Sequence, residues 1–380
     1  MLKISNAKII DENIKEGNVY IENGKIVKVT CDNLPFDEEI DAKGNFLSAG
    51  FIDMHVHGGG GFDVMDGDAQ SVREVAKMHL SHGTTSIYPT TVAANKEQTK
   101  KAVQSIKDAM DFPNIRGVHL EGPYFSLSQC GAQSTDSIRE IDFDEVDELL
   151  KSGVIKRWDF APEHKDSEKL AEILAKNNIV SSIGHSDATY EDVMKVYEKG
   201  TKLITHFYSA TSTITRVFGY RKLGIIETAY LMDDINVEII ADGSHLPVEL
   251  IKLILKLKGT DKVSLITDAM RAASMPDGEY VLGSKDCGNV CVKENDVAKL
   301  PDRSAFAGSV ATTDMLVRTL YKKVGVSLEE TIRMITKNPA KIMGLDSKGV
   351  VKEGYDADIV IFDDDINIQY VILDGKVKNI

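Results

Sequence analysis

His55 and His57 stand one residue apart at the end of an apolar run, in "GFIDMHVHGGGG" (50–61). Residues i and i+2 of a strand share a face, so two imidazoles there can grip one ion. Imidazole together with carboxylate suits zinc, iron and related divalent metals. Similar residues end other apolar runs: Glu121 in "HLEGP", His185 in "IGHSD", His206 in "ITHFYS", Asp242 and His245 in "IADGSH", and Asp268 in "LITDAM". A lone histidine in such a place is more often a buried, hydrogen-bonded core residue. Five of the nine histidines at or just beyond strand ends are hard to explain that way. Glu121 has apolar residues before it and Gly-Pro after it, unlike a surface carboxylate, while Asp268 could also cap a helix. The glycines after His57 lack the Lys and Ser/Thr of a phosphate loop. Their expected role is backbone freedom where the strand turns outward.

Elements must bring these residues together. Eight short apolar runs (51–56, 85–90, 116–120, 158–161, 179–183, 203–207, 236–241 and 263–267) alternate with amphipathic helix patterns such as 69–82, 96–111, 167–177, 190–199 and 248–258. The alternation predicts βα units and a parallel sheet. Eight repeats, several nearly continuous in apolar residues, predict an α/β fold with a closed (β/α)8 TIM barrel, whose active site lies at the C-terminal strand ends. The alternative, a doubly wound open sheet, lacks a G-x-G-x-x-G after its first strand. The chain ends look different. "NVYIENGKIVKV" (18–29) is two alternating runs joined by Asn23-Gly24, and "ADIVIFDDDINIQYVILDGKVKNI" (357–380) carries more strands and a turn at Asp374-Gly375. Residues 1–48 plus 346–380 are therefore expected to form a small β-sandwich domain from both termini, with the catalytic barrel over 49–345. Segment 281–308 fits no βα unit; "VCVKENDVAKL" reads as a β-hairpin insertion at the barrel mouth.

Composition narrows the function. With 380 residues the chain can bury a large core, and a net charge of −14 argues against a nucleic-acid partner. It does not argue against a small anionic substrate, which needs only a few local cations or backbone N–H groups. The start, "MLKISNAKII", has no signal-like apolar region, and no uncharged apolar run is long enough to span a membrane, so a cytoplasmic protein is expected. Cys31, Cys130, Cys287 and Cys291 form no C-x-x-C pair and are expected to be reduced thiols.

The segments "GFIDMHVHG", "GVHLEGPY", "GHSDA", "THFYSA", "ADGSH", "TDAM" and "AGS" (307–309), with the closing "GVVKEGYDADIVIFD", resemble the amidohydrolase superfamily and, within it, the N-acetylglucosamine-6-phosphate deacetylase family. The match runs in order along essentially the whole chain. It implies a metal-dependent barrel that removes acetate from N-acetylglucosamine 6-phosphate in amino-sugar catabolism. Glu121, His185 and His206 match the family's metal ligands, and Asp268 its catalytic aspartate. His55 and His57 match the pair that helps hold a second metal in members retaining it. One or two divalent ions are implied, zinc or iron first, with manganese or cobalt also suited to the donors. Ala132, Gln133, Ser209, Ala210, His245, Phe306, Ala307 and Gly308 fall where family members contact substrate. Arg221, or else Arg216, is the candidate for the phosphate, and a homodimer is implied in which a neighbour supplies that arginine.

The chain departs from the family in reading Ser209-Ala210-Thr211 where Asn-Ala-Met is usual after the histidine, and Ala49 where the family has Pro before Gly50. No lysine precedes His164 in "WDFAPEH", so the carboxylated-lysine bridge of many binuclear relatives is replaced by Glu121. The rival readings are a related substrate (N-acetylgalactosamine 6-phosphate or an N-acyl-D-amino acid) and a non-catalytic scaffold, which should have lost ligands that are all present here.

Overall fold

The computed structural model describes residues 1–378. Its centre is a parallel sheet of eight strands: Phe51–Val56, Thr84–Thr91, Val118–Glu121, Ile155–Phe160, Val180–Ile183, Leu203–Ile204, Asn236–Ile239 and Val263–Leu265. They lie side by side in sequence order. The ring closes just past the eighth strand, where Val56 bridges Ala269 in parallel and the Asp268 N–H donates to His55 O at 2.9 Å. Helices such as Ala69–Ser81, Lys96–Asp108, Ser167–Lys176, Tyr190–Tyr197 and Val248–Lys258 connect the strands. Every residue of Phe51–Val56 and Thr84–Thr91 is buried, which is why these strands read as runs rather than alternations. Local chemistry sets helix starts: Asn95 and Gln98 form a reciprocal capping box at Lys96–Asp108.

Several runs end earlier than expected, the seventh at Ile239 and the fourth at Phe160 among them. The sixth strand stops at Ile204 and the eighth at Leu265, because the chain then turns into the left-handed region at His206 (φ 27°) and Asp268 (φ 49°). The fourth strand starts earlier, at Ile155. Its "IKRWDF" alternates, so Arg157 and Asp159 share one face, where the two fully buried side chains pair at 3.1 Å.

Both chain ends meet in a second eight-stranded sheet around a core that includes Ile4, Val19, Ile26, Leu47, Ile359 and Ile372. Strand Leu2–Ile10 pairs antiparallel with Ile14–Glu22 and parallel with Glu38–Asp41 and Phe46–Ala49, and Phe46–Ala49 pairs antiparallel with Ile359–Phe362. The turns Asn23-Gly24 (φ 50° and 77°) and Asp374-Gly375 (φ 52° and 73°) are left-handed at both central residues, as a two-residue hairpin matching the strand twist requires. Asn379 and Ile380, the end of the expected 346–380 segment, lie outside the described residues. Strand Phe46–Ala49 passes through Gly50 directly into the first barrel strand. The approach is tight: a Cβ on Gly50 would come within 2.0 Å of Thr85 Oγ1.

At the mouth lie three antiparallel strands, Gly278–Leu282, Asn289–Glu294 and Val297–Lys299. Segment 281–308 thus contains the hairpin, and a further strand precedes it. Leu282, Cys291 and Ala298 pack onto Met270, Ala272, Ala307 and Val310 just beyond the barrel strands. All four cysteines are free. Among the described residues, no helix is long and apolar enough to cross a membrane.

Candidate active site

Six of the expected residues converge at the C-terminal end of the barrel. His185 Nε2 and His206 Nε2 stand 3.1 and 3.0 Å from Glu121 Oε1. His57 Nε2 lies 3.4 Å from Glu121 Oε2 and 3.1 Å from Asp268 Oδ1. His55 Nε2 is 3.6 Å from Glu121 Oε1, 3.5 Å from Asp268 Oδ1 and 3.1 Å from His57 Nε2. All six are buried. Two groups, Glu121–His185–His206 and His55–His57–Asp268, each gather three donor atoms closely enough for one ion.

The backbone aims these groups. His185 (φ 49°), His206 (φ 27°) and Asp268 (φ 49°) all adopt left-handed backbone, costly for residues with a Cβ and concentrated at sites where function demands it. Three imidazoles are anchored through Nδ1 to backbone carbonyls: His57 to Thr90 at 3.1 Å, His185 to Gln129 at 2.8 Å and His206 to Ser209 at 3.1 Å. That pairing fixes the tautomer and leaves Nε2 as the free ligand atom, the usual arrangement around a metal. Beyond His57, the glycines let the chain double back. Gly60 and Gly61 have φ of 62° and 88°, and a Cβ on Gly58 would meet Arg271 N at 2.7 Å.

The residues fit a divalent cation. With its Nδ1–H given to Thr90, a neutral His57 would turn a bare Nε2 lone pair toward the His55 ring and the Asp268 carboxylate, so this buried contact needs a proton or a cation there. The carboxylates also demand positive charge. Burial alone would lower His57, but its hydrogen bond to Asp268 and the charges of Glu121 and Asp268 push it up to about 9. Burial likewise opposes His206, which the Glu121 hydrogen bond and the Glu121 and Asp268 charges raise to about 9. Burial would raise Glu121, but the histidines packed around it, His55 first and then the hydrogen-bonded His185 and His206, hold it well below the ordinary carboxylate range. The His55 ring is different: burial holds it well below the usual histidine value, and its Nδ1 has no hydrogen-bond partner.

The cluster forms the floor of a cleft of about 200 Å³, also lined by Ala132, Gln133, Ser209, Ala210, His245, Phe306 and Gly308. Gln133 joins the cluster directly: its Nε2 donates to Glu121 Oε2 at 2.5 Å while its Oε1 accepts the Ala93 N–H at 2.8 Å. His245 Nδ1 pairs with Asp242 at 2.8 Å, and its ring packs on Phe306 with centroids 4.4 Å apart. Ala307 is buried and donates its N–H to Ala298 O at 3.0 Å; it does not line the cleft. Arg221 also stands apart. It sits on the exposed hairpin formed by Thr215–Val217 and Tyr220–Lys222, with Arg216 opposite it, and its guanidinium donates to Gly219 O at 3.4 Å.

A profile of the amidohydrolase family covers residues 46–378. The chain belongs to the amidohydrolase family. Among its relatives is N-acetylglucosamine-6-phosphate deacetylase of Lysinibacillus sphaericus, 31% identical over 384 aligned positions that cover 99% of this chain and 96% of that protein. The crystal structure of N-acetylglucosamine-6-phosphate deacetylase from Thermotoga maritima superposes with a TM-score of 0.87 at 34% identity, covering 99% of both chains. A mutant of the Mycobacterium smegmatis N-acetyl-D-glucosamine-6-phosphate deacetylase, solved in complex with N-acetyl-D-glucosamine-6-phosphate, superposes with a TM-score of 0.91 at 27% identity, covering 99% of this chain and 98% of that one.

Beneath the amidohydrolase cluster lies a polar layer that sequence reading missed. Asp53 Oδ2 accepts the Thr267 hydroxyl at 2.5 Å and Oδ1 accepts the Thr267 and His55 N–H groups, tying the first strand to the eighth beside two site residues. Thr90 Oγ1 accepts the Val56 N–H at 2.9 Å between the paired histidines. His119 packs edge-on to His55, and its Nε2 lies 2.9 Å from Asp159 without hydrogen-bond alignment. Arg157 joins Asp159 to Glu238 and Thr205. Strand parity held the signal: Asp53 stands two residues before His55, His119 two before Glu121, and Arg157 two before Asp159.

Proposed function

We propose that this protein is a metal-dependent amide hydrolase that removes acetate from N-acetylglucosamine 6-phosphate, releasing glucosamine 6-phosphate in amino-sugar catabolism. The observation that carries the reading is the convergence of four imidazole Nε2 atoms on Glu121 and Asp268 at the floor of a cleft. Glu121, His185 and His206 would hold one divalent ion, and His55 and His57 would help to hold a second. Zinc or iron suits this donor set first, with manganese or cobalt as alternatives. A bound divalent ion supplies Lewis acidity, polarising the acetyl carbonyl and lowering the pKa of water toward 7.

The protein's own groups do the rest. Asp268, at the cleft floor, accepts a proton from the attacking water as the oxygen bonds to the acetyl carbon. It then delivers that proton to the amine nitrogen as the C–N bond breaks. Gln133 holds Glu121 in place and borders the space for the acyl group. His245, oriented by Asp242, bonds the sugar, and Phe306 behind its ring excludes water. Ala210 offers its backbone N–H and Ser209 its hydroxyl to the phosphate, the Ser209 N–H being given to His206 O at 2.8 Å. Arg221 reaches that phosphate from a second copy in a homodimer, since in its own chain it stands clear of the cleft. The domains divide as 1–48 plus 346–380 and 49–345, and the protein works in the cytoplasm.

Acetate release tests this reading across N-acetylglucosamine 6-phosphate, N-acetylgalactosamine 6-phosphate, the unphosphorylated sugars and an N-acetyl-D-amino acid. Highest kcat/KM is expected on the first, and Arg221→Ala should raise KM for the phosphorylated sugar far more than for the free one. Preference for an unphosphorylated substrate or an amino acid would overturn the assignment.

A further inference from the structure

The fourth barrel strand sends no residue into the metal cluster, yet the loop after it meets three other loops there. Glu163 is the meeting point. Its Oε2 accepts the Ser186 hydroxyl at 2.6 Å and its Oε1 accepts the Asp187 N–H at 2.7 Å, so one carboxylate grips the two residues that follow the ligand His185. The gripped residues hold two further segments. Ser186 N–H donates to Ala210 O at 3.0 Å and Ser212 N–H donates to Ser186 O at 3.1 Å, fixing the 209–212 segment that borders the cleft. The Asp187 side chain accepts from Ser128 and Gln129, and the Gln129 carbonyl in turn accepts from His185 Nδ1 at 2.8 Å. His185 (φ 49°) and Ala210 (φ 47°) both hold left-handed backbone, a conformation that persists only where surrounding contacts enforce it.

We propose that Glu163 is a positioning residue that locks the metal ligand His185 and the sugar-phosphate segment 209–212 into one rigid arrangement. The inference rests on the deacetylase reading for its second half only, since the grip on His185 concerns metal binding whatever the substrate. Glu163→Ala removes both acceptors and frees the Asp187 N–H and the Ser186 hydroxyl. Glu163→Gln keeps an oxygen for Asp187 N–H and loses charge on the Ser186 side. Outer groups that orient metal ligands typically change metal affinity by 10–100-fold.

The test is competition between zinc-loaded full-length protein and a chelator, followed as bound zinc per chain, together with KM and kcat on N-acetylglucosamine 6-phosphate. Glu163→Ala should give up zinc at roughly 10–100-fold lower chelator concentration and show a raised KM, with Glu163→Gln between it and the wild type. Glu140→Gln, on the exposed partner of His164 in the neighbouring segment, should match the wild type in both. Unchanged zinc retention and unchanged KM in Glu163→Ala, whatever its melting temperature, would overturn the proposal. Failure of the wild type to turn over the sugar phosphate would count against the deacetylase reading alone, because the zinc ratio between variant and wild type would still stand or fall by itself.

Discussion

The two halves of the ligand cluster are built differently. Glu121, His185 and His206 meet at 3.0–3.1 Å, and both histidines have Nδ1 tied to a loop carbonyl. His55, His57 and Asp268 sit on the seam between the first and eighth strands, where Asp53, Thr90 and Thr267 fix the backbone around them. Only His57 of that pair is anchored through Nδ1; His55 Nδ1 is unpartnered. A ligand whose other nitrogen is held cannot turn away, so it binds an ion with less loss of freedom. On the proposed two-ion reading, the Glu121 half would be the tighter ion site and the histidine-pair half the weaker one.

The largest test of that ranking is His206→Ala. It removes a ligand from the anchored half, and the loss of turnover should exceed the roughly 10²–10⁴-fold that a proton-transfer group contributes. Metal analysis after dialysis should show the Glu121 site emptied. Asp268→Asn comes next: turnover should fall within that 10²–10⁴ range while the Glu121-side ion stays bound. Near-wild-type turnover would remove Asp268 from its role. His57→Ala should cost least, about 10–100-fold, with the loss of only the weaker ion. If His57→Ala and His206→Ala release metal equally and slow turnover equally, the two halves are one site and the ranking fails.

Much of this was legible in the sequence because both signals are local in register though distant in number. The barrel shows as eight apolar runs separated by helical periods, and the six cluster residues as polar types at the ends of those runs. The left-handed turns at His206 and Asp268 were not legible: nothing in "THFYS" or "TDAM" resembles a glycine turn, and tertiary contacts impose the conformation. The polar layer of Asp53, Thr90, Arg157 and Glu238 was also missed. A buried charged residue in an apolar strand looks like an ordinary alternation until its partner on a distant strand is known. Arg221 shows a third limit: its place on a hairpin clear of the cleft comes from the fold around it and is not written in "YRKLG".

Charges far from the cluster are neutralised by neighbouring side chains. In the terminal sheet, Asp356 accepts from Lys25 Nζ at 2.5 Å and Ser347 Oγ at 2.8 Å, and Lys348 Nζ lies 3.1 Å away. Burial would raise this carboxyl, but those hydrogen bonds outweigh it and hold Asp356 down to about 2. The folded pKa lies below the unfolded value of about 3.9, so the stabilisation is complete above about pH 4 and is lost as pH falls toward 2. The site is partly open to solvent, and screening limits the effect to about 1 kcal/mol or less. Asp356→Asn should therefore lower the melting temperature by about 1–2 °C at pH 7, with the deficit shrinking toward zero near pH 2. Because lysines rather than an ion neutralise Asp356, chelation should leave the pH 7 deficit unchanged, whereas it should erase any difference that His206→Ala makes to metal-dependent stability. A deficit of equal size at pH 7 and pH 2 would mean that shape rather than charge at Asp356 joins the two chain ends.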